Sequence, residues 1–209
     1  MYNILVFGYE FLSEFIPFFI ALIMLRKVQG RYTSQFTKKY YFLPVIFAFY
    51  IMAVFYVTDV GTLYDVMKIQ YKDLKDQINL MPFSGKISTI GYLLNIFMFI
   101  PFGFLLSVMW EKMRKISYVV LAGLLFSAFI ELSQLPSGRS ADIDDLILNT
   151  IGAVVGFFLY KVWDKVTKSK FQLVVYADIA ELPIYILTLF FGRFFLFNRV
   201  GLIEKFYGL

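Results

Sequence analysis

Five apolar blocks, each close to the length of a membrane-crossing helix, decide what this chain can fold into. They run from Asn3 to Leu25, about Tyr41 to Thr58, Gly91 to Trp110, Ile116 to Leu135 and Leu146 to Trp163. A hydrocarbon core about 30 Å thick takes roughly 20 helical residues at about 1.5 Å each. With 60% of its residues hydrophobic and a mean hydropathy of +0.72, the chain carries more apolar surface than a soluble core could enclose. These features predict an all-α, polytopic transmembrane helix bundle, one integral membrane domain over residues 1–209. A sixth block, Phe171 to Asn198, is broken by Asp178, Glu181, Pro183, Gly192 and Arg193, so it either spans or lies as a bent interfacial helix. The first block has no basic leader and no small-residue cleavage site before Arg26-Lys27, and is expected to remain as a helix.

The net charge of +5 does not point to nucleic acid, because the basic residues cluster between apolar blocks. Arg26, Lys27, Arg31, Lys38 and Lys39 follow the first block, Lys112, Arg114 and Lys115 the third, and Lys161, Lys165, Lys168 and Lys170 the fifth. Alternate connections of a multi-pass chain share one side, and the excess of Lys and Arg marks that side as cytoplasmic. The N-terminus, the 59–90 loop and the 136–144 turn are then expected outside. In that loop Asp59, Asp65, Asp73 and Asp76 offset Lys68, Lys72, Lys75 and Lys86.

The chain has no Cys and no His, which removes disulfides, thiol nucleophiles, the usual zinc ligands and the ordinary near-neutral general base. Any metal would be a hard, oxygen-liganded ion such as Mg²⁺ or Ca²⁺.

The predicted topology brings polar residues together at the outer ends of the helices. Glu131 lies about one turn below the surface, with Gln134 three residues on along the same face. An intramembrane carboxylate is costly without compensation, and Arg139, in the turn Pro136-Ser137-Gly138-Arg139, is the nearest partner in sequence. Asp142, Asp145 and Asn149 follow at three- and four-residue spacing on one helical face, with Asp144 beside it. Asp142 is also a natural helix N-cap, and first-turn acids complement the helix dipole. Capping does not account for Glu131, Asp142, Asp144 and Asp145 outnumbering Arg139, so a metal (candidates Asp142, Asp145 and Glu131), a loop Lys, a protonated carboxyl or a cationic ligand is expected there. Asn95 lies about one turn deep in the third block and would seek a partner on a neighbouring helix. Asn79-Leu80-Met81-Pro82-Phe83 reads as a re-entrant or interfacial turn in preference to a direct ligand contact.

Glu10 and Glu14 share a face in the outer half of the first block. Either one is protonated, or a cation such as Arg139 or a loop Lys bridges them and draws this helix into the same site. Gly152 and Gly156 form a small-xxx-small face suited to helix packing, and Pro101 and Gly103 mark a kink or a close helix contact.

Four segments together, Asn79-Leu-Met-Pro-Phe83, Asn95-Ile-Phe-Met-Phe-Ile-Pro-Phe-Gly-Phe104, Glu131-Leu-Ser-Gln134 and Gly138-Arg-Ser-Ala-Asp-Ile-Asp-Asp-Leu-Ile-Leu-Asn-Thr-Ile-Gly152, resemble the VanZ-like family of bacterial membrane proteins. The resemblance covers about residues 43–161. Its specific part is the Arg-Ser-Ala-Asp-Ile-Asp-Asp run ending in Asn-Thr-Ile-Gly; Met81 stands where Ile is more usual, and 164–209 form a C-terminal hydrophobic extension beyond it. The resemblance implies a multi-pass protein of the bacterial cell membrane, in a family whose namesake lowers sensitivity to teicoplanin-type glycopeptides. By motif match Asn95, Glu131, Gln134, Arg139, Asp142, Asp144, Asp145 and Asn149 are its characteristic polar positions, and no catalytic role comes with them.

Three functions compete. In the first, an outer-facing polar pocket binds a lipoglycopeptide or the headgroup of a membrane lipid or lipid-linked cell-wall intermediate. The second is a metal-assisted enzyme acting on an envelope lipid or phosphate ester, against which stand the missing His, nucleophile elbow and Gly-rich phosphate loop. The third is an ion-coupled transporter using Glu10, Glu14, Asp178 and Glu181, against which stands the absence of an internal repeat.

Overall fold

The computed structural model describes residues 2–30, 39–68, 77–84, 89–167 and 179–198. Asp178, the loop residues Lys72, Asp73, Lys75, Asp76 and Lys86, and the basic residues Arg31, Lys38, Lys168 and Lys170 lie outside the described residues. In chain order the elements are α1 (Tyr2–Gly30), α2 (Lys39–Thr58), α3 (Leu63–Lys68), β1 (Ile78–Asn79), α4 (Thr89–Met109), α5 (Ile116–Gln134), β2 (Ala141–Asp142), α6 (Ile143–Val166) and α7 (Glu181–Phe191). Short 3₁₀ turns follow α4 and α5, and a π-helical turn, Gly192–Leu196, follows α7. The protein is all-α, and among the described residues five helices are long and apolar enough to cross a membrane. Contacts divide it into two compact units, residues 1–69 with 180–209, and residues 70–179.

In the second unit α6 runs parallel to α4 and antiparallel to α5. Between helices in lipid, association depends on close packing and interhelical hydrogen bonds, and small residues allow backbones to approach. The glycines do this here. A Cβ on Gly152 would lie 2.3 Å from the Ile96 carbonyl oxygen, one on Gly156 2.1 Å from that of Ile100, and one on Gly103 1.8 Å from that of Ala153. The expected packing face and close helix contact are thus one α4–α6 seam. Phe99, Phe102, Phe126 and Ile130 fill the space beside it, while Leu121, Leu125 and Leu132 project from the opposite face of α5.

In the first unit α1 and α7 run antiparallel, held by a buried charge cluster at each end. At one end Arg26 donates to both carboxylate oxygens of Glu181, at 2.8 and 3.2 Å, and to the Tyr185 hydroxyl. At the other, Arg193 of the π-helical turn meets Glu10 and Glu14 and donates through Nε to the Val60 carbonyl at 2.7 Å. The bridging cation for Glu10 and Glu14 is therefore Arg193, from the far end of the chain, and the expectation that Arg139 or a loop Lys would supply it is corrected. Gly192 permits the approach, since a Cβ there would lie 2.2 Å from the Ser13 carbonyl oxygen. The described part of the sixth block follows α1 from Arg26 to Tyr9, whose hydroxyl donates to the Leu196 carbonyl. That is roughly 25 Å of helix axis at about 1.5 Å per residue, most of the depth of a bilayer core.

Candidate functional site

The polar motif of the second unit gathers where α6 begins, and the start of that helix organises it. Asp142 is extended, with φ −120° and ψ 131°, and its Oδ1 accepts from the Asp144 N–H at 2.9 Å, so it is the helix N-cap. It does more than cap. Its Oδ2 accepts from Asn79 Nδ2 at 3.2 Å, and its own N–H donates to Glu131 Oε2 at 2.9 Å. A two-residue parallel bridge, Ile78 with Ala141 and Asn79 with Asp142, brings the 77–84 segment alongside.

That segment is a turn built on Asn79, whose Oδ1 accepts from the Met81 N–H and the Ser84 hydroxyl, each at 3.1 Å. Phe83 takes the left-handed conformation, φ 55°, which costs a non-glycine residue about 1–2 kcal/mol. Its N–H donates to Asp144 Oδ1 at 2.7 Å, and the Tyr92 hydroxyl on α4 donates to Asp144 Oδ2 at 3.0 Å. Asp144, fully buried, therefore ties the turn to α4. It is more central than its predicted place beside the face of Asp142, Asp145 and Asn149. Leu80, Met81 and Phe83 are exposed.

Asp145 accepts from Asn95 of α4, the neighbouring-helix partner expected for that amide. One turn deeper Asn149 donates to Ser127 Oγ of α5 at 2.9 Å, and its own Oδ1 is buried without a hydrogen-bond partner. Gln134 is buried at the end of α5. Arg139 is exposed, and its charge reaches Glu131 and Asp145. The hydrogen bond that Glu131 accepts comes from the Asp142 backbone and not through the bidentate Arg139 pairing that the sequence suggested. Tyr92 and Ser127 were not anticipated, although each lies one helical turn before a recognised polar residue, Asn95 and Glu131 respectively.

Glu131 is a buried member of the cluster. Only 6% exposed, it uses Oε2 for the Asp142 N–H, and its Oε1 accepts no hydrogen bond among the described residues. With Asp142 it lines a cleft of about 210 Å³ whose other lining residues include Ile78, Leu80, Leu132, Ile143 and Leu146. Among the described residues no three acidic side chains are grouped to hold a metal ion. Asp142 accepts from Asn79 and the Asp144 N–H, Asp145 from Asn95, and Glu131 from the Asp142 N–H.

Membrane-crossing helices joined around a hydrogen-bonded carboxylate and amide cluster define a multi-pass helical membrane protein with a polar site set at the ends of its helices. The chain matches the VanZ/LLP1 family over residues 42–164, more than half its length, and it belongs to that family. It is 31% identical over 115 residues to Protein VanZ of Enterococcus faecium, covering 50% of this chain and 69% of that relative. No solved structure matches it. Every polar residue of the site described above lies within the family region, whereas α7 and its π-helical turn lie beyond it.

Proposed function

We propose that this VanZ-like protein reduces sensitivity to teicoplanin-type lipoglycopeptides through the cleft of its second unit, which faces the outside of the bacterial cell membrane and binds a lipid-linked headgroup or the drug itself. One observation carries this reading. An apolar-walled cleft of about 210 Å³ lies beside the start of α6, and its lining includes the buried side chain of Glu131 and the helix N-cap Asp142. The apolar cleft suits an acyl chain, and the carboxylates and amides gathered beside it suit a polar group, the two parts of a lipid-linked molecule. The outward orientation is supported by the basic connections after the first, third and fifth spans.

The test is drug susceptibility in cells expressing variants. Glu131→Gln keeps an acceptor for the Asp142 N–H while removing the charge, and Arg139→Ala removes the exposed cation. Each is expected to return teicoplanin susceptibility to that of cells lacking the protein, with expression and membrane insertion unchanged. Full protection by both variants would defeat the proposal.

A further inference from the structure

We infer that the end of the second unit opposite the polar site binds the headgroup of an anionic phospholipid, with a phosphate on Arg114 and a headgroup hydroxyl on Asp164. The inference does not depend on the cleft or on its occupant.

The local structure fixes both groups. Arg114 ends the 3₁₀ turn Glu111–Arg114 that joins α4 to α5. Met113 anchors that turn: its side chain is buried, its N–H donates to the Trp110 carbonyl at 3.0 Å, and its carbonyl accepts from Ser107 Oγ at 3.3 Å. The Arg114 guanidinium lies over the Tyr160 ring, 5.9 Å from its centroid. That ring is buried, set edge-on against Phe104 and tilted against Trp163. A guanidinium stacked on a ring keeps its N–H edge available for an acceptor beside it. Asp164 follows Tyr160 by four residues on the same side of α6, and the charges of Arg114 and Asp164 both act on the Tyr160 hydroxyl.

These two charged groups do not satisfy one another. Arg114 Nε and Asp164 Oδ1 are each buried without a hydrogen-bond partner. A buried donor or acceptor left unmade is costly, the more so on a charged group. A ligand that accepts from the first and donates to the second relieves both, whereas a bare anion relieves only one. A phosphodiester supplies the acceptor oxygens that suit the guanidinium fork, and a hydroxyl on the same headgroup supplies the donor.

The surroundings select the sign of the ligand. Lys112 and Lys115 stand on either side of Arg114, Lys161 and Lys165 on either side of Asp164, and all four are exposed, with Glu111 the exposed acid among them. The sequence that follows adds Lys168 and Lys170 before another acid. Basic clusters beside the ends of membrane-crossing helices recruit anionic headgroups, and Trp and Tyr gather at the same level. Phosphatidylglycerol has the required parts: one negative charge, a phosphate and free hydroxyls.

The whole protein is reconstituted in phosphatidylcholine vesicles carrying a rising fraction of one brominated lipid, and quenching of its tryptophan fluorescence is followed. The chain's two tryptophans, Trp110 and Trp163, both lie at this end of the unit, so the signal reports on it. The brominated lipids are phosphatidylglycerol, phosphatidylmethanol, which has the same charge and no hydroxyl, and phosphatidylcholine. Phosphatidylglycerol is expected to quench at about tenfold lower fraction than phosphatidylcholine and about threefold lower than phosphatidylmethanol. Arg114→Gln should remove most of the preference for both anionic lipids, and Asp164→Ala should make those two lipids equal. Equal quenching by phosphatidylglycerol and phosphatidylcholine in the parent protein, or an undiminished preference in Arg114→Gln, overturns the site. Equal quenching by the two anionic lipids in the parent protein overturns the hydroxyl on Asp164 and leaves attraction by charge alone. Loss of the preference in excess inorganic phosphate at constant ionic strength assigns the site to a free anion and overturns the lipid.

Discussion

Asp144 shows how much one buried carboxylate can organise. Its two oxygens receive the Phe83 N–H and the Tyr92 hydroxyl, so a turn with a left-handed residue is fastened to α4 by a single side chain. Asp144→Ala leaves both donors without their acceptor. It is expected to cost about 1–3 kcal/mol of local stability and to speed amide hydrogen exchange across 77–84, with α4 and α6 less affected. Exchange at Phe83 matching that of the parent protein would show that the turn is held by other contacts. Asp142 carries a related lesson, since its capping role and its links to Asn79 and Glu131 coexist on different atoms of one residue. Sequence reasoning set capping against function as alternatives, but a side chain with two acceptor oxygens does not have to choose.

Among the elements, the α4–α6 seam depends on the absence of side chains. Gly156→Ala places a methyl group where the Ile100 carbonyl oxygen stands, and the helices must separate. A cost of about 1–3 kcal/mol or more is expected in an unfolding titration in mixed micelles. Gly8→Ala on α1 meets nothing within 4 Å and should change stability by less than about 1 kcal/mol. Equal effects of the two substitutions would refute the seam. The small-xxx-small spacing of Gly152 and Gly156 made this contact legible in the sequence, because a periodic pattern states which face is narrow. The pairing of α1 with α7 was not legible. Glu10 and Glu14 announced the need for a cation, but several cations could have met it, and packing selected Arg193, 179 residues away from Glu14. Charge demand is a local property of a sequence, whereas the choice of donor is settled by the fold.

For the molecule as a whole, the distribution of Lys and Arg predicts which ends of the helices face the cytoplasm, and the lack of cysteine makes that directly testable. A single Ser140→Cys, at an exposed position beside the candidate site, should react with a membrane-impermeant maleimide on intact cells. Lys112→Cys, in the turn between α4 and α5, should react only after the membrane is opened. The opposite pattern would reverse the orientation. The helix spans themselves were readable from the apolar blocks, with ends displaced by a few residues, because the thickness of a bilayer imposes a length on any helix that crosses it. The exchange of arginines between α1 and α7 also bears on how the protein is made. When α1 leaves the ribosome Arg193 is not yet there to pair with its two glutamates, and an uncompensated acidic residue within a membrane span is costly. Arg193 is translated only after α2 to α6 have been synthesised. The counter-ion of the first helix is thus supplied by a segment made only after α7.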